Sequence, residues 1–304
     1  RRTNPHRMTS SPIGPNPQTV MHAISWMGVA TFFYAFTFVA IRELSQSFSV
    51  FELCFLRAAM GMLFMLPWLA GAGLAALRTS RFRLYCLRAI VTYSGMVCWF
   101  YGLANVPLAD ATALLFTSPL FTVAFLAISI GEHVSKRRLG AILTGFAGAM
   151  LIIRPGFTVI TLPILALLYT TVAYGAVSAI TRSLTLSENS NAIVFYQFLL
   201  VVPVSAGPAA FNWITPNWGD MPLILIFGAL SFVSMQCFTR ALAAAPAAVV
   251  MPVFYLQLPL VALLAFFFYG EMPDIWVWVG GVIICAASYD IARHETQRAT
   301  MGQE

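Results

Sequence analysis

The sequence predicts an all-α integral membrane protein of ten transmembrane helices, arranged as two inverted five-helix repeats. Three observations predict it. The 304-residue chain is 60% hydrophobic and 9% charged, with a mean hydropathy of +0.82, a composition that belongs to bilayer-spanning chains and not to water-soluble domains. It also echoes itself at an offset of 140: Tyr34 falls on Tyr174, Arg42 on Arg182, Arg57 on Gln197 and Pro119 on Pro259. At an offset of 139, Pro107 falls on Pro246 and Gly131-Glu132 on Gly270-Glu271. Finally, the basic residues segregate once the apolar runs are threaded through a membrane.

Runs bounded by Pro, Gly and charge place the spans near 22–41, 51–70, 84–104, 108–130, 138–154, 160–182, 191–210, 221–240, 246–269 and 274–292, each close to the roughly 20 residues that cross a bilayer. Residues 22–154 then form the first repeat and 160–292 the second, with 293–304 as a C-terminal tail. Residues 1–21, with Pro12, Pro15 and Pro17 among Ser and Asn, read as a disordered tail; Arg1 to Arg7, ahead of Met8, are set aside as an appended stretch. The first apolar run is long enough to span and lacks a small-residue cleavage site, so it is expected to stay as a helix.

With the N-terminus in the cytoplasm, fourteen of the 17 basic residues fall on the cytoplasmic side, Arg88 counted among them. Two, Arg42 and Arg154, fall on the far side, and Arg57 lies inside a span. This is a strong positive-inside bias, and it puts both termini in the cytoplasm of a multi-pass protein of the cytoplasmic membrane. Five spans per half is an odd number, so the second copy enters from the opposite side and the repeat is inverted. Two inverted halves around a midplane site are a way to build an alternating-access carrier. The net charge of +6 is an orientation signal, and no nucleic-acid partner is expected.

Several segments carry a family resemblance: Tyr34-Ala-Phe-Thr-Phe-Val-Ala-Ile-Arg42, Phe51-Glu-Leu-Cys-Phe-Leu-Arg57, Trp99-Phe-Tyr-Gly-Leu-Ala104 leading through Pro107 to Ala109-Asp-Ala-Thr112, and Ser118-Pro-Leu-Phe121 ending at Gly131-Glu132. Ala241-Leu-Ala243 with Pro246, and Gln257-Leu-Pro259 ending at Gly270-Glu271, echo them in the second half. In order, spacing and duplication these resemble the EamA-type branch of the drug/metabolite transporter superfamily. The resemblance implies transport of a small metabolite without ATP hydrolysis, along a pathway lined by the first, third, fourth, sixth, eighth and ninth spans. It leaves the cargo open. Export of an amino acid or related compound is the first expectation. The alternative is uptake of a nucleoside-like or vitamin-like metabolite, since Phe51–Arg57 and Gly95–Gly102 resemble a branch that includes S-adenosylmethionine carriers. A channel is a further alternative.

Candidate substrate-binding residues are polar or aromatic groups placed within spans. Arg57 needs an anion, a carboxylate such as Glu52 or nearby carbonyls, because an unpaired charge at membrane depth is costly; it is expected to pair with Glu52 or with another helix. Gln197 is its partner by repeat. Tyr34 and Tyr174 pair an aromatic ring with a polar tip at equivalent positions. The third span adds Tyr93, Ser94 and Trp99, and the eighth adds Gln236. Ser118, Tyr255 and Gln257 stand beside Pro119 and Pro259, which remove helical hydrogen bonds, free carbonyls and read as hinges. For each of these the alternative is packing or curvature alone.

No phosphate-binding Gly-rich motif occurs, and the five cysteines show no Cys-x-x-Cys spacing or neighbouring His, so neither a cofactor nor a metal site is expected. His22, His133 and His294 are isolated at span ends, and no catalytic constellation emerges, so the chain is not expected to be an enzyme. Acidic residues avoid span centres, Asp110 lying near a span end, so a pH gradient alone is expected to change uptake little, with Asp110 the leading candidate for coupling if there is any. Ala141, Gly145 and Ala149 form a small-residue stripe for close packing, within the fold or across a homodimer.

Overall fold

A computed structural model describes residues 17–129, 161–245 and 253–283, together with 140, 143–144, 147–148, 150–151, 250, 285–286 and 289. The described residues are helical, with short turns between helices and no strand. The helices are α1 (Pro17–Leu44), α2 (Val50–Ala72), α3 (Phe82–Asn105), α4 (Leu108–Leu115), α5 (Ser118–Ser129), α6 (Leu162–Thr185), α7 (Ser190–Phe211), α8 (Met221–Ala244) and α9 (Gln257–Tyr269). Residues 275–283 are helical as well. Seven segments are long and apolar enough to cross a membrane, α4 and α5 counting as one. The small-residue stripe of Ala141, Gly145 and Ala149 lies outside the described residues.

Three sequence expectations are corrected. The first helix begins at Pro17, so residues 17–21 of the expected tail belong to α1; proline suits the first helical position, where its missing N–H has no partner to lose. The span expected over 108–130 is two helices separated by a turn at Phe116-Thr117. The span over 246–269 breaks in the same way at Tyr255-Leu256. The restarting helices carry Pro119 and Pro259 as their second and third residues, positions whose N–H groups no helix would bond. The prolines therefore begin helices here, and the bend lies just ahead of them.

Helix ends explain the tight connections. Ser49 caps α2 by accepting the Glu52 N–H at 3.2 Å, and Asn189, its equivalent by repeat, caps α7 through the Asn191 N–H at 2.8 Å. α9 ends at Gly270 with φ +66°, the left-handed conformation that glycine adopts without strain. That reversal carries Glu271 back toward α1. Its carboxylate meets Arg42 at 2.6 Å and accepts the Leu108 N–H at 3.0 Å. The Arg42 guanidinium also lies over the Tyr269 ring, 4.9 Å from its centroid.

The halves interlock. α1 packs along α8, α3 along α6, α2 along α7, α5 along α6 and α1 along α9. Exchanging each helix for its repeat equivalent returns the same set of pairs. Glycines permit the closest approaches: a methyl at Gly175 of α6 would lie 2.5 Å from Phe121 Cβ and 3.0 Å from the Ser118 carbonyl oxygen.

Candidate functional site

The helix faces that meet at the centre leave a cavity of about 870 Å³ of empty space, part of it continuous with the exterior. α1 contributes Tyr34, Thr37 and Phe38, and α3 contributes Thr92 and Trp99. Counted from Tyr34 and from Thr92 these positions follow at three, four and seven residues, the spacing that keeps side chains on one helix face. Tyr174 and Ser178 of α6 follow the same rule, and Arg57 enters from α2 and Gln197 from α7. The wall is largely aromatic. Trp99 stands edge-on to Phe38 at 4.8 Å and near Tyr174 at 6.5 Å. Opposite, Tyr34 meets Phe238 at 6.2 Å and Phe254 at 6.1 Å, both in edge-to-face geometry. Ring edges and faces so arranged offer flat, polarisable surfaces to a planar guest.

Polar groups are few. Thr92 donates to the Gln197 amide oxygen at 3.4 Å, and the Tyr34 hydroxyl approaches the Met235 sulfur at 3.6 Å. Arg57 takes the second of its expected routes, reaching another helix: its Nη1 lies 3.1 Å from the Met96 sulfur of α3. Glu52 is engaged elsewhere, accepting the Ile214 N–H at 3.2 Å. A thioether is a weak acceptor for a guanidinium with five N–H donors. No carboxylate lines the cavity among the described residues.

Of the residues singled out in the sequence, Tyr34, Arg57, Trp99, Ser118, Tyr174 and Gln197 share this cavity. The others do not reach it. Tyr93 and Ser94 lie one and two residues beyond Thr92, rotated by roughly 100° per residue away from the lining face; Ser94 instead bonds Tyr169 at 2.8 Å. Gln236 donates to Asn191 at 2.6 Å, beside Arg240 and away from the lining. Tyr255 packs edge-on against Phe116 at 4.9 Å, so the breaks of the two interrupted spans touch. Gln257 is fully buried at the start of α9, and neither end of its amide has a partner among the described residues.

The sequence reading missed lining residues such as Thr37, Thr92 and Ser178, and it misplaced one charge. Arg88, counted there with the cytoplasmic loop cations, is 1% exposed inside α3. Its Nε donates to Thr181 at 2.9 Å and its Nη1 to the Ile193 carbonyl at 3.2 Å. The signal was present: Tyr85, Arg88, Thr92 and Trp99 recur at helical spacing, which puts Arg88 on the buried face.

The profile of the EamA-like transporter family matches the chain twice, over residues 21–154 and 161–292. The chain belongs to the EamA-like transporter family. Its relatives include a riboflavin transporter of Rhizobium johnstonii, 33% identical over 96% of this chain and 97% of that protein. An S-adenosylmethionine uptake transporter of Rickettsia prowazekii is 26% identical over 94% and 98%. A pseudopaline exporter of Pseudomonas aeruginosa is 30% identical over 87% and 94%. A solved crystal structure of a protein 16% identical in sequence superposes with a TM-score of 0.67, covering 90% of this chain and 98% of that one. That likeness is one of fold alone. The EamA-like chain described here is thus a multi-pass membrane transporter of a small metabolite.

Proposed function

We propose that this chain carries a flat heteroaromatic metabolite, a flavin or a molecule of similar shape, across the cytoplasmic membrane by alternating access. The observation that carries the reading is the cavity itself. Rings from both halves form its walls, Gln197 supplies an amide for edge recognition, and its described lining holds no carboxylate. A free amino acid would ask for an acceptor for its ammonium group, so the lining favours the vitamin-like alternative over amino-acid export. The full-length likeness to a riboflavin transporter supports the same choice. S-adenosylmethionine is the second reading: aromatic faces can hold a cationic sulfonium, although the Arg57 guanidinium repels one.

Ten spans in two inverted repeats, both termini cytoplasmic, form the frame of this proposal. The double family match, the packing pairs that survive exchange of the halves, and the equivalent breaks at 116–117 and 255–256 all support it. Discontinuous helices beside a central site are the parts from which inverted-repeat carriers build alternating access.

Uptake into proteoliposomes tests the cargo. Saturable entry of riboflavin, with little entry of phenylalanine or S-adenosylmethionine, is the expected result. Entry of phenylalanine without riboflavin would refute the reading.

A further inference from the structure

Arg57 and Arg88 are two guanidinium groups inside the membrane-spanning bundle, and neither pairs with an acid among the described residues. An ion pair forms between Arg42 and Glu271, at one end of the bundle. Arg57 faces the cavity with the Met96 thioether as its described partner. Arg88 is 1% exposed, and its Nη2 has no partner among the described residues. The Tyr85 hydroxyl, one helical turn away on the same face, is buried and likewise without a described partner. Two buried donors with nothing to bond, side by side, form a place made for an acceptor, because buried polar groups are otherwise satisfied.

Arg57 lines the cavity, and Arg88 lies outside its lining, one turn of α3 beyond Thr92. Arg57 lies 15 residues before the end of α2, and Arg88 lies 6 residues into α3, which returns from that same end. The difference of 9 residues, at 1.5 Å each, separates them by roughly 13 Å along the bundle. Between them stand Thr92, on the turn of α3 after Arg88, and Gln197.

We propose that Arg57 and Arg88 are two stations for one acidic group of the cargo, so that the carrier selects a flat molecule bearing a carboxylate or phosphate. Arg57 holds that group while the cavity faces one side, and Arg88 takes it as the path opens to the other. Charge-assisted bonds to an oxyanion satisfy the donors that the protein leaves open. This rests on the transport reading given above and narrows it from flat molecules in general to flat acids.

The test uses the full-length carrier in phosphatidylcholine vesicles, which contain no anionic lipid to occupy the arginines. Matched probes are compared for inhibition of counterflow and for thermal stabilisation: indole-3-acetate with indole-3-acetamide, and riboflavin 5′-phosphate with riboflavin. The acid of each pair is expected to act at concentrations at least tenfold lower than its neutral partner. Arg88→Gln should bring that ratio toward one with the melting temperature little changed, while Arg88→Lys keeps part of it. Should Arg88→Gln not fold, Arg57→Gln supplies the same comparison. Equal or stronger action by the neutral partners overturns the proposal and leaves the flat-ring reading standing. So does an unchanged ratio in the variants. Succinate acting where the aromatic acids do not would sink the flat-ring reading and leave the anion stations intact. No response to any acid overturns the two stations.

Discussion

Glu271→Gln should loosen one end of the bundle. In the wild type the Glu271 carboxylate joins Arg42 at 2.6 Å and the Leu108 N–H at 3.0 Å, with both charged side chains about one-fifth exposed. It thereby ties the end of α1 and the start of α4, in the first half, to the end of α9 in the second. Glutamine retains an acceptor for Leu108 but removes the charge that holds Arg42. Charge-assisted hydrogen bonds contribute about 1.5–3 kcal/mol against roughly 1 for neutral ones, so the substitution costs on the order of 1–2 kcal/mol in the conformation that makes this tie. At 1.4 kcal/mol per factor of ten, that raises the open fraction roughly 5- to 30-fold. The assay is maleimide labelling of a cysteine placed at Val177, a cavity-lining position, after replacement of the five native cysteines. Reagent added from the side where α1 ends should react faster in Glu271→Gln. The reversed pair, Arg42→Glu with Glu271→Arg, should return the rate toward the wild type. An unchanged labelling rate in Glu271→Gln would show that the tie does not close this end.

Gly175→Val should destabilise the carrier by about 1–3 kcal/mol through overpacking against the Ser118 carbonyl and Phe121, read as a lower melting temperature; an unchanged value would mean that α5 yields freely. Gln257→Leu removes a fully buried amide with no described partner, so stability should hold or rise by about 1–3 kcal/mol, the cost of an unmade buried hydrogen bond, while flux falls. Full flux in that variant would assign Gln257 no part in transport. Trp99→Ala, at a position 2% exposed, should cost about 3–5 kcal/mol of stability; Trp99→Phe should keep the fold and raise the KM for aromatic cargo. A pH gradient imposed alone should change uptake little, and a steep dependence abolished by Asp110→Asn would contradict that.

The helical class and most of the span boundaries were legible because hydropathy and charge act over whole turns and tolerate small errors. The breaks were half legible. Pro119 and Pro259 marked the right neighbourhoods, but hydropathy averaged over a window cannot distinguish a straight span from two halves joined by a two-residue turn. In the cavity, Tyr34, Arg57, Trp99, Ser118, Tyr174 and Gln197 stood out as polar or aromatic groups within apolar runs. Tyr93 and Ser94 shared that property and face elsewhere, because one residue turns a helix by roughly 100°. Arg88 was lost for the opposite reason. Its proximity in sequence to Arg78, Arg81 and Arg83 made it look like a loop cation, although helical phase with Trp99 and Thr92 places it inside.

The contact between Phe116 and Tyr255 binds the histories of the two halves. One ring comes from each interrupted span, and they meet edge-on at 4.9 Å where both helices stop. Once two copies of an ancestral segment have come to rest against each other at such a point, neither can drift alone. A larger side chain at 116 demands a smaller one at 255, and an alignment of relatives should carry that compensation as paired change at two columns 139 residues apart.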